Sequence, residues 1–457
     1  MPSREAAMYE PEVREYLRIG LLLGRLVEGF VDCWFGDPAL HRQVRDEPLP
    51  TPGELARQAT DVMARVADGD LSPRRKRFLH AHLAAMRCSA ERLAGRPVPF
   101  RAEVRACFQV EAEVGEQDRY AEAHDEIRAL LPGGGDLRTR LERFHEANTV
   151  GPDHLLLAVQ SVSDAVRPLV RERYGLPEGE HVRYEVVHDK PWNAFNRYLG
   201  DYRSLVLLDS RAGRNLAALP LLATHESYPG HHTDHCLKES GLVRRCGEGE
   251  HTLVVVNTPR CLVAEGMAEL ALAASVGDGW GAWTSDVLAA QGVRVDGERV
   301  EAVMRAWWKL MGVRQDAAIM LHDRGASAED VVAHLTRWLL IPEQRARHMV
   351  EFLTDPLWRA YTVTYVEGRR LVSEWLDARD GRTTATDRFD HLLRADVLPE
   401  DLRDPTTSNH PIGQGSVVVP RTADGQPFVH GARQPVRGTD LAQSTVDGPV
   451  SDTEGAR

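Results

Sequence analysis

Two histidines and two glutamates in one region of this chain have the types and the order that a metal hydrolase requires. A hydrolase of this kind uses two imidazoles, a third ligand that is often a carboxylate, and a further carboxylate that takes a proton from water. The residues are a run with a glutamate downstream: His225-Glu226-Ser227-Tyr228-Pro229-Gly230-His231-His232, then Glu265 in Ala264-Glu265-Gly266. The first part begins like the helical zinc motif HExxH and then departs from it.

The spacing of the histidines does not fit a regular helix. His231 follows His225 by six residues, which is about 240° around a helix and about 9 Å along its axis. His232 returns to the same face but lies roughly 10 Å along the axis. Two ligands of one zinc ion, each bonded at about 2.0–2.1 Å, cannot lie that far apart. The helix must therefore be interrupted if both ends of the motif bind metal.

The dipeptide Pro229-Gly230 supplies such an interruption. Proline lacks an N–H and its ring clashes with the carbonyl four residues earlier, here that of His225, while glycine tolerates unusual dihedral angles. A bulge of two residues would bring His231 to the position of the second HExxH histidine. His232 would need three, so it ranks second and is expected to support the ligands. The competing interpretation is that Pro229-Gly230 ends a helix and leaves the histidines on a surface turn.

The run T-H-E-S-Y-P-G-H-H resembles the signature of the bacterial domain-of-unknown-function 885 family, in which HExxPGHH precedes an EGW-type segment. That family is similar in fold to the carboxypeptidase Taq group of zinc metallopeptidases, which are mostly helical. The resemblance covers about residues 180–375. It implies that His225 and His231 are zinc ligands, Glu226 the general base and Glu265 the third ligand.

The resemblance implies a zinc-dependent hydrolase of peptide or related amide bonds, with a small peptide or amide as its partner and Glu226 as general base. Zinc is the expected cofactor, although other divalent transition metals suit two imidazoles and a carboxylate. A carboxypeptidase-like preference rests on fold analogy. Met267 and Leu270 stand where the family has tryptophan and commonly an aromatic residue. They suit one alternative, a metal enzyme acting on a specialised small metabolite. The other is a non-catalytic binding member, against which the intact Glu226 argues.

Three further residues are candidates for the site. Tyr365 and Arg369 lie at helical spacing in a segment that matches a Y-x-x-G pattern of the family, and we expect them to stabilise the oxyanion or a substrate carboxylate. The competing interpretation is that these residues form one face of a helix and have only a structural role. Glu269 follows Glu265 by four residues on the same helical face, where it either orients a histidine or is a solvated charge.

Composition narrows the class of protein. The 457 residues are 42% hydrophobic and 27% charged, which is typical of a globular protein with a sizeable core. The net charge of −12 argues against nucleic acid or an anionic membrane as the partner. Six cysteines without C-x-x-C spacing favour a reducing compartment. No basic start with an apolar segment marks a signal peptide, so we expect a cytoplasmic location.

The periodicity predicts a mainly α protein, a large helical metallopeptidase-like fold with a small β-sheet beside the metal-binding helix. Apolar positions three and four apart indicate helices over these ranges: 10–35, 53–68, 72–94, 101–130, 136–149 and 301–323. Strands are expected over 181–187 and 203–209, with an edge that either pairs with an extended substrate or belongs to an ordinary hairpin. Three regions follow: an N-terminal helical region over 1–150, a catalytic region over 151–403 and an irregular extension over 404–457.

Overall fold

The computed structural model describes residues 9–151, 154–188, 192–210, 218–378 and 383–403. It is mainly helical, which confirms the predicted fold class. None of the helices in these ranges is long and apolar enough to cross a membrane. The predicted extension over 404–457 lies outside the described residues.

The helices are numbered in chain order. The first eight are α1 Pro11–Leu26, α2 Pro38–Asp46, α3 Pro52–Asp68, α4 Pro73–Leu93, α5 Phe100–Phe108, α6 Gln117–Leu130, α7 Leu137–Ala147 and α8 Leu155–Tyr174. The next six are α9 Leu219–Glu226, α10 His231–Lys238, α11 Pro259–Glu269, α12 Ala271–Ser275, α13 Trp280–Ala289 and α14 Gly297–Trp307. The last five are α15 Gly312–His322, α16 Ala328–Leu339, α17 Glu343–Thr354, α18 Arg369–Asp377 and α19 Ala385–Arg394. Two π-helical turns, Glu239–Arg245 and Thr364–Gly368, interrupt the regular geometry.

Local sequence explains many helix starts. Proline occupies the first turn of α2, α3 and α4, where its missing N–H is not needed. Thr51 and Glu54 form a reciprocal capping box at α3, and the side chain of Ser327 accepts a hydrogen bond from the Asp330 N–H at α16. These signals are read from neighbouring residues alone, so the sequence locates these starts closely.

Three predicted helices were wrong in their extent. The range 10–35 contains only α1, because the chain turns at Gly29 with φ +82° and then forms a strand. The range 101–130 is divided into α5 and α6, since Gln109 adopts a left-handed conformation with φ 56° that ends α5. The range 301–323 covers the end of α14, a short 3-10 turn at Trp308–Leu310 and α15.

Two small sheets accompany the helices. The strands are β1 Val31–Trp34, β2 His181–Val187, β3 Ala194–Gly200, β4 Arg203–Asp209 and β5 Leu253–Val255. The two predicted strands are confirmed as β2 and β4, which pair in parallel, while β3 pairs antiparallel with β4 at the other edge. β1 pairs antiparallel with β5, so the predicted regions 1–150 and 151–403 share a sheet.

The elements that carry the motif pack closely together. α9 contacts α8 and α11, and both α9 and α10 contact β3. α11 packs against the π-helical turn Thr364–Gly368 and against α18. The small sheet therefore lies beside the interrupted helix, and α11 with the π-helical turn lies on another side of it.

Candidate metal centre

The helix that begins with α9 is interrupted at the dipeptide Pro229-Gly230, as the sequence predicts. The Gly230 N–H donates to the carbonyl of Thr224 at 3.0 Å, and the Thr233 N–H donates to that of Ser227 at 3.2 Å. Each of these bonds spans six residues where a regular α-helix spans four. The interruption therefore inserts two residues, after which α10 continues from His231.

Glycine is required at position 230 by the close approach of two backbone segments. A Cβ atom there would overlap the carbonyl oxygens of His225 and Thr224, which are backbone atoms and cannot move aside. The absence of a side chain lets the start of α10 lie against the end of α9. Contact at this point places the His225 and His231 rings on the same side.

The predicted ligands converge. The Nε2 atoms of His225 and His231 lie 3.2 Å apart. Carboxylate oxygens of Glu265 lie 3.3 Å from the His225 Nε2 and 3.7 Å from the His231 Nε2. The two imidazoles are 16% and 18% exposed, so a small ligand can reach them.

These three residues fit a tetrahedral zinc ion. Ligand atoms bonded at about 2.0–2.1 Å around a tetrahedral ion lie about 3.3 Å from one another, close to the observed separations. Glu265 is buried, and its Oε2 atom has no hydrogen-bond partner within the described part of the chain. A buried carboxylate oxygen without a partner is costly unless a cation or a donor satisfies it. The donor set, two imidazoles and one carboxylate, is that of catalytic zinc sites.

Charge at the cluster also favours a cation. Burial lowers the pKa of His231 to about 4. Burial also acts on His225, but the adjacent carboxylate of Glu265, with the negative charges of Glu226 and Glu269 nearby, raises its pKa to about 9. Without metal, the pair therefore holds one proton near neutral pH, in the position where a metal ion would replace it.

Glu226 lies beside the ligands as the sequence predicts. Its side chain is buried, and burial together with the charges of Glu265 and Asp32 raises its pKa to about 7. The Nδ2 of Asn196, on β3, donates to the main-chain carbonyl of Glu226 at 2.6 Å and so fixes the end of α9 against the small sheet. A carboxylate with a pKa near neutrality suits general acid–base catalysis.

Asp32 is an acidic residue of this region that the sequence did not indicate. It lies on β1, and burial with the negative charge of Glu265 raises its pKa to about 7. The range 10–35 was predicted as one helix, which hid the strand. Because Asp32 is nearly 200 residues from the motif, no spacing rule connects it with the histidines.

Two tyrosines of the segment after Pro356 reach the site in different ways. The hydroxyl of Tyr361 donates to Glu265 Oε1 at 2.8 Å, a contact that the sequence did not distinguish. The ring of Tyr365 packs edge-on against that of Tyr361 with centroids 5.7 Å apart. Within the described ranges the Tyr365 hydroxyl has no protein hydrogen-bond partner, and burial together with the negative charges of Glu265, Glu269 and Glu226 raises its pKa.

Two glycines bring this tyrosine segment close to Glu265. A Cβ atom on Gly266 would overlap the backbone of Gly368, and one on Gly368 would overlap the carbonyl of Leu262. α11 and the π-helical turn therefore touch through their backbones. π-Helical turns are frequent at functional sites, and this one carries Tyr365.

Glu269 and Arg369 lie at the rim of the cluster. Glu269 Oε1 is 3.7 Å from His225 Nδ1, so its charge faces the imidazole nitrogen that is directed away from Glu265. Arg369 donates from Nη1 to the main-chain carbonyl of Glu269 at 2.9 Å, and its guanidinium lies 4.8 Å from the ring centroid of Trp308. The Arg369 group is thus held against α11 instead of against the ligands.

His232 does not join the three ligands. Its Nδ1 lies 2.8 Å from Ser204 Oγ and its Nε2 3.1 Å from Glu180 Oε2. Tyr228 donates to the same Glu180 oxygen at 2.6 Å. Both ring nitrogens of His232 are occupied, so the structure places this residue in a buried polar network that supports the interruption from behind.

The chain shares its fold with a solved structure. No family model and no curated protein matches it. A structure from Colwellia psychrerythraea, described as a "putative lipoprotein", has a TM-score of 0.51 and 13% identity over 79% of this chain and 67% of its own. Another from Shewanella oneidensis, described as a "putative lipoprotein of unknown function", has a TM-score of 0.46 and 14% identity over 80% and 75%. The first likeness shows a shared fold and carries nothing about chemistry.

Proposed function

We propose that this protein is a metal-dependent hydrolase of peptide or related amide bonds, with zinc as the preferred ion. The observation that carries the proposal is the convergence of His225, His231 and Glu265, whose ligand atoms all lie within 4.8 Å of one another. The resemblance of the motif to the domain-of-unknown-function 885 family and to Taq-like metallopeptidases agrees with this chemistry.

The surrounding residues have roles that follow from their positions. A zinc ion bound by the three ligands would lower the pKa of water and polarise a carbonyl. Glu226 takes the proton of the attacking water and transfers it to the departing amine nitrogen. Tyr365, with its unpartnered hydroxyl, donates a hydrogen bond to the oxygen that becomes negative. Tyr361 and Glu269 hold Glu265 and His225 in orientation.

The substrate that we propose is a small peptide or amide. A metal enzyme acting on a specialised small metabolite is the second candidate, and the observation in its favour is the buried Met267 on α11, two residues after Glu265. A cytoplasmic location is part of the proposal. It is supported by the six cysteines, all of which are free thiols.

The Glu226→Gln variant tests the proposal because it removes the general base and leaves the three ligands. We expect the rate of hydrolysis of an N-acetylated dipeptide mixture, measured as release of free amine, to fall at least about 1,000-fold. Zinc content should stay at the wild-type value. Glu122→Gln is the matched control, since it makes the same change at an exposed position on α6. Turnover by the Glu226→Gln variant at the rate of Glu122→Gln would contradict the role of Glu226.

A further inference from the structure

A second group of buried carboxylates with an imidazole shares no residue with the candidate metal centre. It consists of Glu248, His251 and Asp396, which we call the His251 cluster. His251 is 1% exposed, and the side chains of Glu248 and Asp396 are also buried. Glu248 and His251 belong to the turn before β5, whereas Asp396 lies in the chain after α19. Tertiary packing alone therefore brings these three side chains together.

Three polar atoms of the His251 cluster converge without hydrogen bonds. His251 Nε2 lies 3.5 Å from Glu248 Oε2 and 3.8 Å from Asp396 Oδ2. None of these three atoms makes a hydrogen bond within the described part of the chain, and neither does His251 Nδ1. Such atoms are uncommon in protein interiors, because each has given up its bonds to water. Their convergence points to a ligand that the protein itself does not supply.

The distances distinguish a shared cation from a direct ion pair. A charged imidazole that donates to a carboxylate lies about 2.7–2.9 Å from the accepting oxygen. The two separations from His251 Nε2, 3.5 and 3.8 Å, are clearly longer. Ligand atoms bonded at about 2.0–2.2 Å to one tetrahedral ion lie about 3.3–3.6 Å from one another. The His251 cluster therefore has nearly the spacing of a metal site.

An arginine at the start of α4 holds both carboxylates of the cluster from the other side. Arg74 Nη1 lies 2.5 Å from Asp396 Oδ1, and its Nη2 donates to Glu248 Oε1. Arg74 thus occupies one oxygen of each carboxylate, and the second oxygen of each lies near His251. Groups of this kind orient the ligands of metal sites. Arg74 is 39% exposed, so the cluster lies just beneath the surface, where an ion can reach it.

The charges around the His251 cluster leave an excess that a divalent cation would neutralise. Arg75 donates to both oxygens of Glu250, at 2.6 and 2.7 Å, and also to Glu10. With the two carboxylates of the cluster, four carboxylates therefore share two guanidinium groups, Arg74 and Arg75. Two negative charges remain within this group. Uncompensated charge is costly where the side chains are buried, as Glu250 is.

We propose that the His251 cluster binds one divalent metal ion through His251 Nε2, Glu248 Oε2 and Asp396 Oδ2, and that manganese is the preferred ion. Carboxylates suit manganese and magnesium, whereas imidazole suits transition metals, so manganese satisfies both kinds of ligand. The candidate metal centre has the opposite ratio, two imidazoles to one carboxylate, and suits zinc. The ion at the His251 cluster joins the turn before β5 to the chain after α19, and its role is to stabilise the fold.

Manganese binding by the full-length His225→Ala variant tests the proposal, because this variant loses a ligand of the candidate metal centre and keeps the His251 cluster. Titration followed by the electron paramagnetic resonance signal of free manganese measures the ions bound per chain. We expect about one manganese per chain in His225→Ala. Adding His251→Gln should weaken this binding at least about tenfold, as loss of part of a metal site does. Adding His80→Gln is the matched control, since His80 is exposed on α4, and should change nothing.

Thermal unfolding of the same proteins gives a second measurement that uses another ligand. An ion that binds only the folded chain raises the midpoint of unfolding. Saturating manganese should raise the midpoint of His225→Ala by about 2 °C or more. Adding Asp396→Asn should abolish this rise. Adding Glu400→Gln, which changes an exposed carboxylate of the same segment, should preserve it.

Two results would overturn the proposal. One is that His225→Ala binds no manganese, which would leave His251 as a protonated partner of the two carboxylates. The other is that the His251→Gln and His80→Gln double variants bind manganese equally. Neither result bears on the proposed hydrolase, because the His251 cluster shares no residue with its metal centre.

Discussion

At the scale of residues, the site is an excess of negative charge around two imidazoles. Glu226, Glu265 and Asp32 are close enough for each to alter the pKa of another, and Glu269 faces His225 from the rim. Such a set is unfavourable in a protein interior unless a cation joins it. The residue types of the motif predicted the imidazoles and Glu265, but only the fold brings Asp32 to them.

Zinc binding should release a proton. The pKa of His225 is raised to about 9 in the metal-free protein, and a metal ligand must be neutral. At pH 7 we therefore expect about one proton to leave per zinc bound, and zinc affinity to rise with pH up to about 9. Calorimetric titrations in two buffers of different ionisation enthalpy measure the number of protons released per zinc ion bound. Equal apparent enthalpies in both buffers would contradict a protonated His225.

The two tyrosines should have separable effects. Tyr361→Phe removes the hydrogen bond to Glu265, so we expect zinc affinity to fall about tenfold. Tyr365→Phe removes a hydroxyl that makes no hydrogen bond to a described residue, so zinc affinity should be unchanged while kcat falls about 100-fold. Zinc titration and steady-state kinetics on both variants check the pair. A Tyr365→Phe variant with wild-type kcat would exclude its oxyanion role.

At the scale of elements, the site depends on places where backbones touch. Gly230 joins α9 to α10, and Gly266 with Gly368 joins α11 to the π-helical turn. The sequence predicted the interruption at Pro229-Gly230, because this dipeptide stands inside a recognisable motif. It did not predict the second, because a glycine that packs on a distant backbone leaves no local pattern.

Gly230→Ala should break the first contact. A Cβ atom would overlap the His225 and Thr224 carbonyls, so we expect a loss of about 1–3 kcal/mol in the free energy of unfolding and at least a tenfold loss of zinc affinity. Gly134→Ala is the control, since a Cβ atom there meets no neighbour. Denaturant unfolding and zinc titration compare the two. A Gly230→Ala protein that binds zinc like Gly134→Ala would show that the close approach is dispensable.

Strands and helix ends show the same division between local and distant causes. β2 and β4 were predicted from their alternation, and the start of α16 is marked locally by the Ser327 cap. β1 was missed, since it follows α1 after a single glycine turn and gains its partner, β5, from far along the chain. β3 was not identified either, although its Asn196 fixes the end of α9. Whether such short segments form strands is decided by their pairing with distant parts of the chain.

At the scale of the whole molecule, many titratable groups are buried, and this should govern acid stability. His82 is 2% exposed and stacks on Phe78, and burial lowers its pKa to about 3. The unfolded chain binds a proton at His82 below about pH 6.5, whereas the folded protein does not. The free energy of unfolding is therefore unaffected by His82 above about pH 6.5. It decreases as pH falls from there toward about 3, because only the unfolded chain takes up the proton.

His82→Phe should reduce that loss. Between about pH 6.5 and 5 the wild type should lose about 2 kcal/mol more stability than His82→Phe, as a group held neutral by burial requires. Denaturant unfolding of zinc-free protein measures this difference without a contribution from metal release. His80→Phe is the matched control on the same helix, because His80 is exposed. An identical pH dependence in wild type and His82→Phe would contradict the assignment.

The molecule as a whole also shows what a sequence can indicate about function. The mainly helical class followed from periodicity, and the interrupted motif followed from stereochemistry. Tyr361 and Asp32 lie on different elements, and only packing unites them with the ligands. Their identification therefore needed coordinates.

The proposed metal centre requires His225 and His231, and not His232, as ligands of one ion. Zinc content measured by plasma mass spectrometry on purified wild type and on His225→Ala, His231→Ala and His232→Ala tests this most directly. We expect about one zinc per chain in the wild type and in His232→Ala, and almost none in the other two variants. A wild type that takes up no zinc, or a His231→Ala protein that keeps it while His232→Ala does not, would contradict the assignment of these ligands.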